Sequence, residues 1–225
     1  MSALAGRRVL IAGATSESGH AVTRALLAGG AEVVAVGRDA LRLAPLDALG
    51  ARTEVCELTD EAAVLDLRDR VHAAGGPIDG LIPLVGGWRG GGGLAGQTDA
   101  DYRMLESSFT AVRHTSRAFD ADLRASSGGR FAVVSSTAVA RPLAGGANYA
   151  AVKAATEAWT RAVAQGFAKA ARDGGTELSA ASVVFRVKGL GGLEGMLAAR
   201  IAGLWDAPAA DLNDTILTLS ADPQP

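Results

Sequence analysis

Three residues of this chain have the types and spacing to move a proton: Ser136, Tyr149 thirteen residues later, and Lys153 four residues beyond it. Four residues is about one helical turn, so a helix beginning near Asn148 stacks the phenol and the ammonium on one face. A free tyrosine, with a pKa of about 10, is a weak base at neutral pH, and a neighbouring positive charge favours its phenolate. Lowering it by about three units takes roughly 4 kcal/mol of differential interaction. Ser136 follows the strand-like FAVVSS, where its hydroxyl is placed to bond the oxygen that gains or loses the proton. Such a set suits carbonyl reduction or alcohol oxidation. The same stretch also reads as a strand end, a Gly/Pro loop and a first helical turn, with Tyr149 packed and Lys153 solvated. The surrounding elements decide between the two.

Those elements alternate. VLIAGA, ending at Ala14, is a short apolar run of the kind buried on both faces of a parallel sheet; TSESG is a turn, and HAVTRALLAGG has helical spacing with a glycine stop. EVVAVGR (32–38) predicts a second strand, LRLAPLDALG a short helix or loop interrupted by Pro45, and TEVCELT (53–59) a third strand. Asp60 caps a helix running to about Ala74. GLIPLVGG (80–87) predicts a fourth strand in which Pro83 removes a ladder donor, followed by the loop WRGGGG. A long helix over 99–125 leads to the fifth strand, RFAVVSS; the helix from Tyr149 runs to about Arg172. ASVVFRV (181–187), a helix over 193–205 and TILTLS (215–220) complete the chain. The alternation predicts an α/β fold: a Rossmann-type, doubly wound parallel sheet of about seven strands with helices on both faces.

In such a sheet the first strand-to-helix turn meets a dinucleotide's pyrophosphate. Gly13 and Gly19 bracket that turn: Gly13 permits the tight bend and Gly19 the close packing of the helix start, whose free N–H groups attract an anion. The second strand ends at Gly37-Arg38-Asp39. An acid at the strand end would bond a free ribose 2′-hydroxyl, whereas Arg38 suits a 2′-phosphate, which favours NADP(H) over NAD(H). Arg38 also reads as a surface arginine that Asp39 neutralises.

With these motifs in place, the chain resembles the short-chain dehydrogenase/reductase family over nearly its whole length: the glycine turn at 13–19, the pair Glu57-Leu58, a strand ending at Gly86, and Ser136, Tyr149 and Lys153 in a Ser-x12-Tyr-x3-Lys spacing. The resemblance implies that Tyr149 is the general acid/base, that Lys153 also holds the nicotinamide ribose, and that Ser136 orients the substrate oxygen. It implies a cofactor site formed by Gly13, Thr15, Ser16, Gly19, Arg38, Glu57, Leu58, Val85, Gly86 and Lys153. It also implies a homodimer or homotetramer paired through the helix of Tyr149 and the helix before it.

The chain departs from the family pattern in several places. Glu17 stands where the glycine turn usually has a middle glycine, Pro83-Leu84-Val85-Gly86 replaces Asn-Asn-Ala-Gly, and Ser108 falls near an asparagine that supports the lysine through water. After the sixth strand FRVKGLGGLEG passes directly into the next helix, so the substrate lid is nearly absent, leaving a pocket open to a bulky or carrier-presented substrate. GGWRGGGG offers a replacement wall, with Trp88 either a stacking surface or a loop anchor; VGGWRGG resembles the corresponding segment of quinonoid dihydropteridine reductases.

A chain of 225 residues, 48% hydrophobic, can bury one substantial core, and a single domain over 1–225 is expected. A formal net charge of -2 with scattered arginines makes no electrostatic case for nucleic acid or a membrane surface, and a small-molecule carbonyl or alcohol is the expected ligand. Cys56 is the only cysteine and no apolar run is long enough for a membrane span, so a cytoplasmic protein is expected. His20, His72 and His114 read as packing or surface residues, and no metal-ligand spacing is present. Trp159, Val163 and Phe167 recur every four residues as a core or subunit-interface stripe. Two functions compete: an NADP(H)-dependent oxidoreductase, favoured by Ser136, Tyr149 and Lys153, and a non-catalytic dinucleotide-binding sensor or partner subunit, favoured by Glu17, the missing lid and the lost asparagine.

Overall fold

A computed structural model describes residues 3–220. Seven parallel strands form one sheet: β1 (Arg8–Ala12), β2 (Glu32–Gly37), β3 (Arg52–Val55), β4 (Gly80–Pro83), β5 (Arg130–Ser136), β6 (Ala181–Val187) and β7 (Thr215–Leu219), in the order β3-β2-β1-β4-β5-β6-β7. The helices between them are α1 (Glu17–Ala28), α2 (Ala40–Asp47), α3 (Glu61–Gly75), α4 (Asp99–Ala125), α5 (Ala147–Gly174), α6 (Glu194–Ala202) and α7 (Ala209–Leu212).

Strand alternation builds two cores. Val9 and Ile11 of β1, Val33 and Ala35 of β2 and Phe185 of β6 face α1, α2 and α6; Leu10, Ala12, Val34, Val36 and Val184 face α3, α4 and α5. Both faces are therefore covered, which explains why the central strands read as near-continuous apolar runs. Strand order reverses between β1 and β4, opening the crevice beyond the strands' carboxyl ends where ligands bind in such sheets.

Several boundaries differ from expectation for local reasons. β1 stops at Ala12 because Gly13 turns away with φ +84°. β3 stops at Val55 because Glu57 folds back, its carboxylate accepting the Thr59 N–H and hydroxyl (3.1 and 2.7 Å), and Asp60 at once caps α3. Pro45 lies inside α2. Pro83 ends β4 without loss: Leu84 N–H reaches Ala12 on β1, so the N of Pro83 points toward β5, where pairing has already stopped at Leu81–Phe131.

Candidate active site

The three proton-handling residues come from two adjoining elements. Ser136 is the last residue of β5, and its Oγ accepts the N–H of Ala138 (3.1 Å) in the 3-10 turn Thr137–Val139. Tyr149 and Lys153 lie on the first turns of α5. All three line a cavity of about 1050 Å³ at the carboxyl end of the sheet. The ammonium does not lower the phenol as its spacing suggested. Burial pushes Tyr149 above its ordinary value, and a hydrogen bond with Ser136 pulls it partly back. Lys153 Nζ sits over the Tyr149 ring, 5.8 Å from its centroid, and donates to the carbonyl of Val134 (2.9 Å). Burial pushes Lys153 down to about 8, with the negative charge of Glu157 acting in the opposite direction.

Sequence reading missed the group behind this floor. Glu157, one turn beyond Lys153, is buried and accepts hydrogen bonds from Ser135 Oγ (2.7 Å) and from the guanidinium of Arg186 (Nε, 2.8 Å). Burial works against its ionisation, but the Arg186 and Ser135 hydrogen bonds outweigh it and hold the carboxyl below the usual range. Arg186 pairs across the sheet with Ser135, and Val187 with Ser136. The signal was present: an acid continuing the i, i+4 row of Tyr149 and Lys153, and one charge in the apolar run ASVVFRV. Ser108 does not reach outward, since its hydroxyl donates to Leu105 O (2.6 Å) on its own helix. Lys153 meets a β5 carbonyl directly instead.

On the other side of the crevice, Gly13 and Gly19 are required by space. A Cβ on Gly13 would lie 2.9 Å from Val85 N, and one on Gly19 would lie 2.1 Å from Ala14 O. Ser16 caps α1 by accepting Gly19 N–H (3.0 Å). Ser16 and Ser18 line the cavity, whereas Glu17 between them is exposed and does not, so the replacement of the middle glycine leaves the cavity wall unobstructed. Val85 and Gly86 line it as well; the position a Cβ would take on Gly86 is 3.8 Å from Lys153 Nζ. Thr15 packs against Gly37 at the end of β2, and its carbonyl accepts Arg42 Nη2 (3.2 Å). Arg38 is exposed and paired with Glu57 (3.5 Å), while Asp39, the neutraliser in the alternative reading of Arg38, caps α2 by accepting Leu41 N–H (2.9 Å). Leu58 is buried, its carbonyl accepting from His114 Nδ1 (3.3 Å). Arg42, on the same rim as Arg38, was not singled out in the sequence.

The remaining walls are loops. Only residues 188–193 separate β6 from α6, so the shortened lid read from the sequence is seen here. The glycine loop after β4 is instead fastened to the start of α5: Gln97 Nε2 donates to the carbonyls of Gly91, Gly93 and Gly145 (3.1, 3.2 and 3.1 Å), and its Oε1 accepts Asn148 N–H (3.2 Å). A Cβ on Gly90 would meet Gly145 O at 2.4 Å, so this contact needs glycine. Trp88 is exposed on the cavity wall. Trp159 and Val163 are partly buried against the core with Phe167; Trp159 Nε1 donates to Ser116 Oγ (2.9 Å), and Arg113 lies over its ring.

Comparison with known proteins agrees with this geometry. No curated protein matches the chain. A short chain dehydrogenase from Burkholderia cenocepacia in complex with NADP is 26% identical, with TM-score 0.79 over 96% of this chain and 97% of that one. An NADPH-bound short chain oxidoreductase from Pseudomonas aeruginosa, with an atypical catalytic center, is 20% identical, with TM-score 0.81 over 96% and 98%. An NAD+-bound xylitol dehydrogenase is 17% identical, with TM-score 0.84 over 97% and 99%. The family model described as short chain dehydrogenase matches residues 7–171, from the first residues before β1 into the last turns of α5. That span contains the glycine turn, the whole β5–α5 floor and the wall between them, and the chain belongs to the short-chain dehydrogenase family of oxidoreductases.

Proposed function

We propose that the protein is an NADP(H)-dependent reductase of carbonyl compounds, with Tyr149 as the proton donor. One observation carries the reading: Ser136, Tyr149 and Lys153 converge in one cavity that also reaches Ser16 and Ser18 of the glycine turn. When bound, NADP(H) supplies the hydride. The residues that would hold it are Ser16 and the first turn of α1 for the pyrophosphate, Arg38 and Arg42 for the 2′-phosphate, Leu58 beside the adenine, Val85 and Gly86 along the nicotinamide, and Lys153 for its ribose. The donor set suits this group: a helix start free of obstruction for the diphosphate, and two arginines near the β2 end for the extra phosphate, with Glu57 paired to one of them and Asp39 turned to the cap of α2.

The Tyr149 environment suits the proton-donating half of the exchange. A phenol raised by burial is held in its acid form, which donates to a carbonyl oxygen as that oxygen gains charge. Ser136 bonds the same oxygen and keeps it within reach of Tyr149. Lys153, close to 8, takes either protonation state near neutral pH and stands one turn from Tyr149, positioned to replace the lost proton. The proposal includes one domain over 1–225, a cytoplasmic location and pairing of two or four copies through α4 and α5, where Phe109, Trp159 and Arg113 cluster near the surface. No helix of the described residues is long and apolar enough to cross a membrane.

The test is a titration of the purified protein with NADPH and separately with NADH, followed by nicotinamide fluorescence and thermal shift. Tighter binding of NADPH, lost in Arg38→Ala and Arg42→Ala while NADH binding is retained, is the expected result. Equal affinity for both in the wild type removes the 2′-phosphate assignment.

A further inference from the structure

The walls of this cavity carry a charge bias that the nucleotide does not explain. Three of its lining side chains are cationic, Arg141, Lys153 and Lys188, and no Asp or Glu lines it. The chain as a whole has the opposite balance, 24 Asp and Glu against 22 Lys and Arg. Lys153 is committed to the floor through Val134. Arg141 and Lys188 differ: both are exposed, and neither has an ion-pair or hydrogen-bond partner among the described residues. Of the other exposed arginines, Arg38 pairs with Glu57, Arg117 with Glu61 and Arg161 with Asp214, whereas Arg24, Arg103, Arg172 and Arg200 have no carboxylate partner among the described residues; what distinguishes Arg141 and Lys188 is that they line the cavity.

Their place in the fold separates them from the nucleotide side. Lys188 follows Val187, the register partner of Ser136, and Arg141 lies on the loop that leaves Ser136 toward α5. Both therefore flank the β5–β6 end of the cavity, whereas the glycine turn follows β1, with β4 between β1 and β5. The same end presents apolar surface: Leu143 is 78% and Trp88 61% exposed, and Leu190 completes the wall.

We infer that the substrate is an anionic carbonyl compound: its reactive carbonyl at Ser136 and Tyr149, a planar or aliphatic body against Trp88 and Leu143, and a carboxylate or phosphate bound by Arg141 and Lys188. The inference rests on the carbonyl-reductase reading above and deepens it. A guanidinium offers paired N–H donors to either anion, and a second cation without a competing acid adds charge attraction that salt weakens. The short 188–193 connection leaves both cations open to an incoming ligand.

The experiment compares matched aldehydes with the NADPH-loaded protein: 4-carboxybenzaldehyde, 4-formylphenyl phosphate and the neutral methyl 4-formylbenzoate. The expected result is a kcat/KM for at least one anion about tenfold or more above the ester, carried by KM and collapsing toward parity in about 0.5 M salt. The better of the two anions identifies the group. Arg141→Ala and Lys188→Ala each lower the anion-to-ester ratio, and Arg141→Glu inverts it. An equal kcat/KM for all three aldehydes, or an unchanged ratio in the variants, overturns the inference. Calorimetric binding of 4-carboxybenzaldehyde and 4-formylphenyl phosphate to Tyr149→Phe, with and without the Arg141 and Lys188 substitutions, gives a second readout. Binding of an anion that those substitutions erase keeps the anion subsite even where no turnover is seen, so reduction then fails alone; absence of both binding and turnover overturns the subsite.

Discussion

The amino and carboxyl edges of the sheet partner their cations differently. At the amino edge, Arg130 is buried and donates to four carbonyls, Leu204 (2.8 Å), Gly129 (2.9 Å), Ser179 (3.0 Å) and Ala207 (2.9 Å). Around it Asp79 accepts from Arg7 (3.2 Å), from the Arg8 N–H (2.9 Å) and from Ser126 (2.5 Å), and Asp122 accepts from Ile78 N–H (3.0 Å). At the carboxyl edge Lys153 has a single carbonyl, and Arg141 and Lys188 have none. Burial lowers both groups by similar amounts from their ordinary values, Arg130 to about 10 and Lys153 to about 8, so the two edges differ in hydrogen-bond partners and not in the size of the shift. The amino edge is closed by its own groups; at the carboxyl edge Glu157, Arg186 and Ser135 satisfy one another, while Lys153, Arg141 and Lys188 keep bonding capacity for a ligand. Substitutions at the two edges are therefore expected to separate stability from turnover.

Tyr149→Phe makes the sharpest cut. Removing the acid while keeping the ring is expected to lower kcat on any accepted carbonyl by about 10³, equivalent to roughly 4 kcal/mol of barrier, with Tm and NADPH affinity nearly unchanged. Retained turnover in this variant removes Tyr149 from the proton transfer. The mirror experiment is Arg130→Ala, which leaves the four carbonyls without their donor. A loss of about 3 kcal/mol in chemical denaturation is expected, with kcat of the folded fraction intact. A stable variant with altered kcat would dissolve the contrast between the edges.

How much of this was legible in the sequence follows the same division. Strand and helix order was readable because the central strands are buried on both faces and the long helices on one, so apolar runs and 3.6-residue periodicity carry the topology directly, while the outer strands β3 and β7 are partly exposed. The Ser136, Tyr149 and Lys153 set was readable because a fixed turn and one helical period place it. Boundaries were misjudged where side chains intervene: Glu57 bonding Thr59 ended β3 early, and apolar content alone does not contain that bond. The phenol's direction was misjudged because spacing says that Lys153 is near but not that its Nζ is spent on Val134 or that burial dominates. Glu157, Arg186 and Gln97 were passed over because each acts across elements far apart in the chain, and only the packed fold brings Arg186 to Glu157 or Gln97 to Gly145.

The smallest of these effects tests the carboxyl edge from the stability side. Lys153 has a folded pKa of about 8 against an ordinary value of 10.5, so between these two pH values the unfolded chain binds more protons than the native one. Below about pH 8 the native state holds an ammonium that its surroundings disfavour, and the full penalty is present; as pH rises toward 10.5 the penalty fades and the native state gains. Lys153→Met removes this linkage. The difference in unfolding free energy between wild type and Lys153→Met should therefore move in favour of the wild type across that window, by up to about 3 kcal/mol and less where water reaches Nζ. Paired urea titrations at pH 7.5, 8.5 and 9.5 measure it. A flat difference would mean that burial does not hold the Lys153 ammonium below its ordinary value, and that the carboxyl edge holds no charge in reserve for a ligand.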